Sequence, residues 1–232
     1  MENDLNKKRV LLIGGSSGIG LAVAKSVCQC GAYVTIASRK AEKCKAEFSE
    51  LPQNRVETYD FDITSPKEHR QLFESTGPID HLILAVRPEI HSAPFLSVDV
   101  ENAKQAFETK LWGVYRLIQA GQGNIRETGS IILTSGIAGE KIYNGASVMS
   151  LINSATETLC RILAVELAPI RVNAVSPGFV EPKPKEIRKL AENFPAKRLA
   201  NMEEVVSAYR WLMGNRYVSG TIVKVDGGAV LM

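Results

Sequence analysis

The sequence predicts an α/β fold: a doubly wound parallel sheet of about seven strands in a single domain, with helices on both faces. Three observations carry this expectation. Short β-rich runs alternate with helical runs along the whole chain, and His81-Leu-Ile-Leu-Ala-Val86 is apolar almost throughout, as a strand covered on both faces must be. The first strand also meets the first helix through a glycine-rich turn, Gly14 to Gly20.

The elements follow in order. Arg9 to Ile13 reads as a short buried strand, and Ile19 to Cys30 as an amphipathic helix. Tyr33 to Ala37 is the second strand, Lys40 to Glu50 a polar helix, and Arg55 to Tyr59 the third strand. A polar helix over 66–76 leads to the apolar run at 81–86, which Arg87-Pro88 ends. Glu101 to Ala120 reads as one long helix, with Ala103, Phe107, Leu111, Val114 and Ile118 as its apolar stripe and Lys110 beside it. Ser130 to Thr134 is the fifth strand. A second long helix from about Ser147 to Ala168 places Val148, Leu151, Ile152, Ala155, Leu159, Ile162 and Leu163 on its core side. Ile170 to Val175 is the sixth strand, and the Pro- and Lys-rich stretch 181–198 reads as a mobile lid whose charge is mixed with Glu181, Glu186 and Glu192. The helix Glu203 to Met213 and the strand Thr221 to Val225 complete the pattern.

Composition narrows the function classes. A chain of 232 residues with 45% hydrophobic and 23% charged residues has the make-up of one globular domain, 1–232, with a substantial core. Its net charge of +3 is small and its bases are interleaved with acids, so no nucleic-acid partner is expected. No apolar run approaches the roughly 18 residues of a membrane helix, and Met1 to Lys8 is polar, so no membrane association and a cytoplasmic location are expected. Cys28 and Cys30 point in different directions on their helix, and Cys44 and Cys160 have no neighbour in sequence. Neither disulfides nor a metal site is expected, and His69, His81 and His91 read as surface or packing residues.

The glycine-rich turn points to a ligand. Gly14 permits a tight turn, Gly18 lets the backbone approach a pyrophosphate, and Gly20 lets the helix pack closely on the strand. Free N–H groups at the helix start face the anion, with Ser16, Ser17 and Ile19 in the same turn. The end of the second strand carries Ser38 and Arg39 in place of the acid that would hold a ribose 2′-OH. Hydroxyl and guanidinium donors match a 2′-phosphate, so the expected cofactor is NADP(H).

From Val10 to Gly228 the chain resembles the short-chain dehydrogenases/reductases. The matching pieces are Gly14-x-x-x-Gly18-x-Gly20, Asp62-Ile-Thr64, Glu166-Leu-Ala with Arg171-Val-Asn173-Ala-Val-Ser-Pro177-Gly178, and Val218-Ser-Gly220 with Val225-Asp226-Gly-Gly228. The resemblance implies a Rossmann fold and an NADP(H)-dependent oxidoreductase acting on a small molecule. It further implies that Asp62 accepts from the adenine amino group with Ile63 on the ring, that Ala85 and Val86 line the adenosine ribose, and that Pro177, Gly178 and Val180 shape the nicotinamide pocket. A homodimer or homotetramer, with the two long helices paired across an axis, is also implied.

The chain departs from that family where its chemistry normally resides, in an Asn, a Ser and a Tyr-x-x-x-Lys pair. The six tyrosines are followed four residues later by Ala37, Ile63, Gln119, Ser147, Met213 and Thr221, so no such pair exists. Met149 stands at the Tyr position, Asn153 at the Lys position, Gly136 at the Ser position with Ser135 just before it, and Lys110 at the Asn position. Lys and Asn have thus exchanged places. Two readings of Lys110 follow, an ammonium reaching the nicotinamide ribose or a substrate oxygen, and a side chain snorkelling past Phe107 to water.

Losing a general acid costs roughly 10²- to 10⁴-fold, which weakens reduction without forbidding it. The expected substrate is therefore an already electrophilic acceptor, such as a quinone, enone or iminium, with the proton supplied by water, Tyr143, Ser147 or Ser135. The competing roles of these three side chains are loop packing, a helix N-cap and a strand-end turn. Two other functions fit the same residues: a catalytically silent NADP-binding partner or sensor, and a non-redox isomerase or dehydratase.

Overall fold

The computed structural model describes residues 5–232. Seven parallel strands form one sheet in the order β3-β2-β1-β4-β5-β6-β7: β1 (Arg9–Ile13), β2 (Tyr33–Ser38), β3 (Val56–Asp60), β4 (Ile79–Leu84), β5 (Ile125–Thr134), β6 (Arg171–Pro177) and β7 (Ile222–Val225). β4 and β6 are buried at every position, which is why 81–86 reads as a nearly unbroken apolar run, whereas β6 buries the polar Arg171, Asn173 and Ser176.

The helices are α1 (Gly18–Gln29), α2 (Pro66–Thr76), α3 (Val100–Phe107), α4 (Gly113–Gly121), α5 (Ser147–Glu166), α6 (Lys185–Leu190) and α7 (Met202–Gly214). On one face of the sheet Val23, Val27, Val205, Tyr209 and Leu212 of α1 and α7 pack on Leu12, Ile36 and Ile132. On the other, Leu72, Phe73, Leu117, Leu159 and Leu163 of α2, α4 and α5 pack on Leu11, Leu82, Ile131 and Val172. Parallel registers such as Ile13 with Ala37, and Ile13 with Leu84, bring the carboxyl ends of β1, β2 and β4 to one edge. The strand order reverses between β1 and β4, and a crevice at such a point is where doubly wound sheets bind ligands.

Several elements differ from the sequence reading. The segment read as a helix over Lys40–Glu50 is a 3₁₀ helix, Ala41–Phe48, started by the Asp60 carboxylate, which accepts from the Ala41 N–H at 2.9 Å. The long helix over Glu101–Ala120 is three pieces, because a π turn, Glu108–Trp112, separates α3 from α4. Ala146 occupies the cap position of α5 and Ser147 is its first helical residue, so the expected Ser147 cap is corrected by one residue. On α5, Leu151 and Ile162 are exposed, not core-facing, together with Val165. That helix is long and apolar enough by composition to cross a membrane, yet it lies against β5 and β6 with Ile152, Leu159 and Leu163 buried. The stretch 181–198 carries α6 and is anchored where Phe194 stacks on Phe179 at 5.8 Å.

Candidate active site

Conformation and close approach both require glycine in the turn after β1. Gly14 has φ +83°, its N–H donates to the Ala37 carbonyl at 2.9 Å, and a Cβ there would stand 2.7 Å from the Ala85 carbonyl oxygen. A Cβ at Gly20 would overlap the Gly14 carbonyl, so α1 sits directly on the turn. Gly18, by contrast, has φ +54° and open space where its Cβ would be. The first turn of α1 carries no acidic residue, and the Ser17 side chain caps nothing, so its donors remain available to an anion.

The adjoining corner is built from the ends of β2, β3 and β4. Ser38 Oγ is shut off from solvent without a hydrogen-bond partner, and the exposed Arg39 guanidinium pairs with Glu89 across the crevice at 3.1 Å. Asp62 uses Oδ1 to accept from the Thr64 N–H and hydroxyl at 2.9 and 2.8 Å, which shapes a compact turn. His69 Nε2–H donates to the Ile63 carbonyl at 2.8 Å, fixing Ile63 beside Gly113, while burial pulls the His69 pKa down. Ala85 and Val86 stand against Gly14, and the Ala85 N–H continues the ladder to Ile13 at 2.9 Å. An exposed guanidinium, beside a cradle that only glycine can form, fits a dinucleotide carrying a 2′-phosphate.

At the carboxyl end of β6, Pro177 is buried and the Gly178 N–H donates to Val225 at 2.9 Å. A Cβ at Gly178 would lie 2.9 Å from the Asp226 Cα. Val180 is buried and bridged to Ala200. The Asp226 carboxylate accepts from the N–H groups of Gly228 and Val230, which closes the segment beneath this loop.

Between these two regions lie Lys110, Ser135, Gly136 and Asn153. Lys110, only 6% exposed, projects inward from the π turn and donates to Asn153 Oδ1 at 2.7 Å and to the Ser135 carbonyl at 3.3 Å. Snorkelling past Phe107 is therefore corrected: the ammonium is spent on Asn153 and the backbone. Burial pulls the Lys110 pKa down to about 8, against the opposing pull of the Glu157 carboxylate. The Ser135 hydroxyl donates to Glu157 Oε1 at 2.9 Å, so its proton is directed into the α5 side of the site. A Cβ at Gly136 would come within 2.9 Å of Asn153 Nδ2, and Met149 lies half-buried one turn before Asn153.

Tyr143 is absorbed by packing. Its ring meets Phe179 edge-on at 5.9 Å, and its hydroxyl is shut off from solvent with no partner among the described residues. Burial, then the Asp226 charge, raises its pKa. Ser147 is half-buried and makes no side-chain cap. The structure thus brings Lys110, Ser135 and Asn153 together and leaves Tyr143 with the aromatic cluster under 181–198. Glu157 was not singled out from sequence, although it lies four residues after Asn153 and therefore on the same helix face.

Strand order, the glycine cradle at the switch point and the polar corner beside it define a doubly wound dinucleotide-binding domain. The enoyl-(acyl carrier protein) reductase family model matches residues 14–230. Short-chain dehydrogenase/reductase ATR9 of Stachybotrys chlorohalonatus is 32% identical, over 96% of this chain and 96% of its own length. A small-chain dehydrogenase solved in complex with NADPH has a TM-score of 0.81 at 30% identity, covering 98% of this chain and 100% of that one. The MalC reductase/Diels-Alderase from Malbranchea aurantiaca has a TM-score of 0.89 at 25% identity, covering 100% and 99%. The chain belongs to the short-chain dehydrogenase/reductase family of oxidoreductases.

Proposed function

We propose that the protein is an NADP(H)-dependent reductase of the short-chain type, with a non-standard active site that passes hydride to a small, already electrophilic organic acceptor such as a quinone, enone or iminium. The observation that carries this reading is the contrast between an intact nucleotide cradle and an altered acid. Gly14, Ser16, Ser17, Gly18, Ile19 and Gly20 hold the pyrophosphate, Ser38 and Arg39 the 2′-phosphate, and Asp62, Ile63, Ala85 and Val86 the adenosine. Pro177, Gly178 and Val180 frame the nicotinamide, which supplies the hydride when bound.

The chain's own residues orient the acceptor. Neither Ser135 nor Tyr143 offers it a hydroxyl proton, because the Ser135 proton points to Glu157 and the Tyr143 hydroxyl is sealed away. The proton therefore comes from solvent, which suits an acceptor whose reduced form is a stabilised anion. An absorbance assay of NADPH against a panel of quinones, enones, imines and simple ketones tests this. Oxidation with the activated members alone is expected, whereas tight binding without turnover of any member would sink the reading in favour of a silent sensor.

A second reading, non-redox chemistry in the same cleft, is favoured by the likeness to MalC, a reductase that is also a Diels-Alderase. Conversion of a substrate at constant NADPH absorbance would select it. The exposed Leu151, Ile162 and Val165 of α5, with the half-exposed Trp112 beside α4, support a homodimer or homotetramer through these helices.

A further inference from the structure

Lysine has three N–H donors and no acceptor, so an asparagine that meets it must offer its carbonyl oxygen. Asn153 does so, with Oδ1 2.7 Å from Lys110 Nζ. The amide flip is thereby decided, and Nδ2 is turned the other way, toward Gly136. Nδ2 makes no hydrogen bond among the described residues, yet it is not sealed off as the hydroxyls of Ser38, Thr76, Tyr143 and Ser150 are. The space it occupies exists only because residue 136 has no side chain.

We propose that Lys110, Gly136 and Asn153 form one unit in which the buried ammonium locks the Asn153 amide with its NH₂ facing the cleft, a fixed donor to a ligand oxygen that gives up no proton. The inference rests on the proposed nucleotide site. The acceptor is an oxygen lone pair, on either a hydroxyl of the cofactor ribose or the oxygen of the organic substrate. Asn153 touches the ligand; Lys110 acts through Asn153 and is a positioning residue. A preorganised donor of this kind stabilises developing negative charge without proton transfer, which is what a site lacking a hydroxyl acid requires.

The decisive variant is Asn153→Asp, which keeps the size and the Lys110 pairing but replaces the outward NH₂ with a carboxylate oxygen. NADPH affinity, from nicotinamide fluorescence, and kcat/KM with the ortho-quinone phenanthrenequinone are measured with a melting curve for each variant. Loss of at least about tenfold in NADPH affinity is expected if the acceptor is the ribose. The same loss in kcat/KM at unchanged NADPH affinity is expected if it is the substrate oxygen, and either result supports the proposal. Asn153→Ala carries the test where the aspartate variant does not fold, and Gly136→Ser is expected to show the same loss by displacing Nδ2.

The positioning role has its own signature. With Glu157 as the charged group coupled to Lys110, the donor weakens in the wild type above pH about 8, and Lys110→Met flattens that limb. Values within twofold of wild type for Asn153→Asp in both assays would overturn the inference. Failure of the unmutated protein to bind NADPH would instead overturn the nucleotide site itself, and this inference with it.

Discussion

Lys110→Met tests the burial of an ammonium against a physical expectation that requires no knowledge of the substrate. The lysine midpoint falls from 10.5 to about 8, mainly through desolvation, and this corresponds to a burial cost of about 3 kcal/mol. Below pH about 8 the side chain is protonated in both the folded and the unfolded chain, and the full cost is present. Between about 8 and 10.5 the folded protein gives up the proton while the unfolded chain keeps it, so stability rises with pH. Above 10.5 the cost is gone. Methionine removes the charge but leaves Asn153 Oδ1 without its donor, a penalty of about 1–3 kcal/mol, so the two proteins should be similarly stable at pH 7. The informative quantity is the slope. Urea unfolding of both proteins from pH 7 to 10 should show the wild type gaining about 3 kcal/mol relative to the variant. A difference that stays flat over that range would refute the burial argument.

Arg39→Ala should weaken NADPH binding about tenfold and leave NADH binding unchanged, as read by competitive titration of the two nucleotides. Tyr143→Phe removes a sealed, unpartnered hydroxyl, so turnover should be unaltered and thermal stability equal or higher by about 1 kcal/mol; a fall in turnover would return Tyr143 to the role of acid. Val165→Lys on the exposed face of α5 should shift the protein toward the monomer in light scattering, whereas the same change at the exposed Arg126 should not.

The parallel sheet of seven strands, the helices on both its faces and the glycine turn were legible because each leaves a mark in local sequence. Gly14, Gly18 and Gly20 have spacing that only a strand–turn–helix context explains, and the six inward positions of β4 are contiguous. What was illegible depends on contacts distant in sequence. The π turn at Glu108–Trp112 leaves no periodic mark strong enough to distinguish it from a continuous helix, yet Lys110 projects inward from it. Leu151 and Ile162 follow the apolar spacing of α5 and still face outward, because a helix that is apolar on two sides does not declare which side meets the sheet. The Ser135 hydroxyl, read as either a proton donor or part of a strand-end turn, finds Glu157, a choice made by packing across 22 residues.

The fit of the Asn153 amide into the gap left by Gly136 has a consequence for any attempt to reinstall the family's usual residues. Serine at 136 alone would strike Nδ2, and lysine at 153 alone would set a second ammonium against Lys110. Tyrosine at 149 alone would gain a hydroxyl with no lysine to support it. Positions 136 and 153 are therefore coupled: a side chain at 136 requires a change at 153.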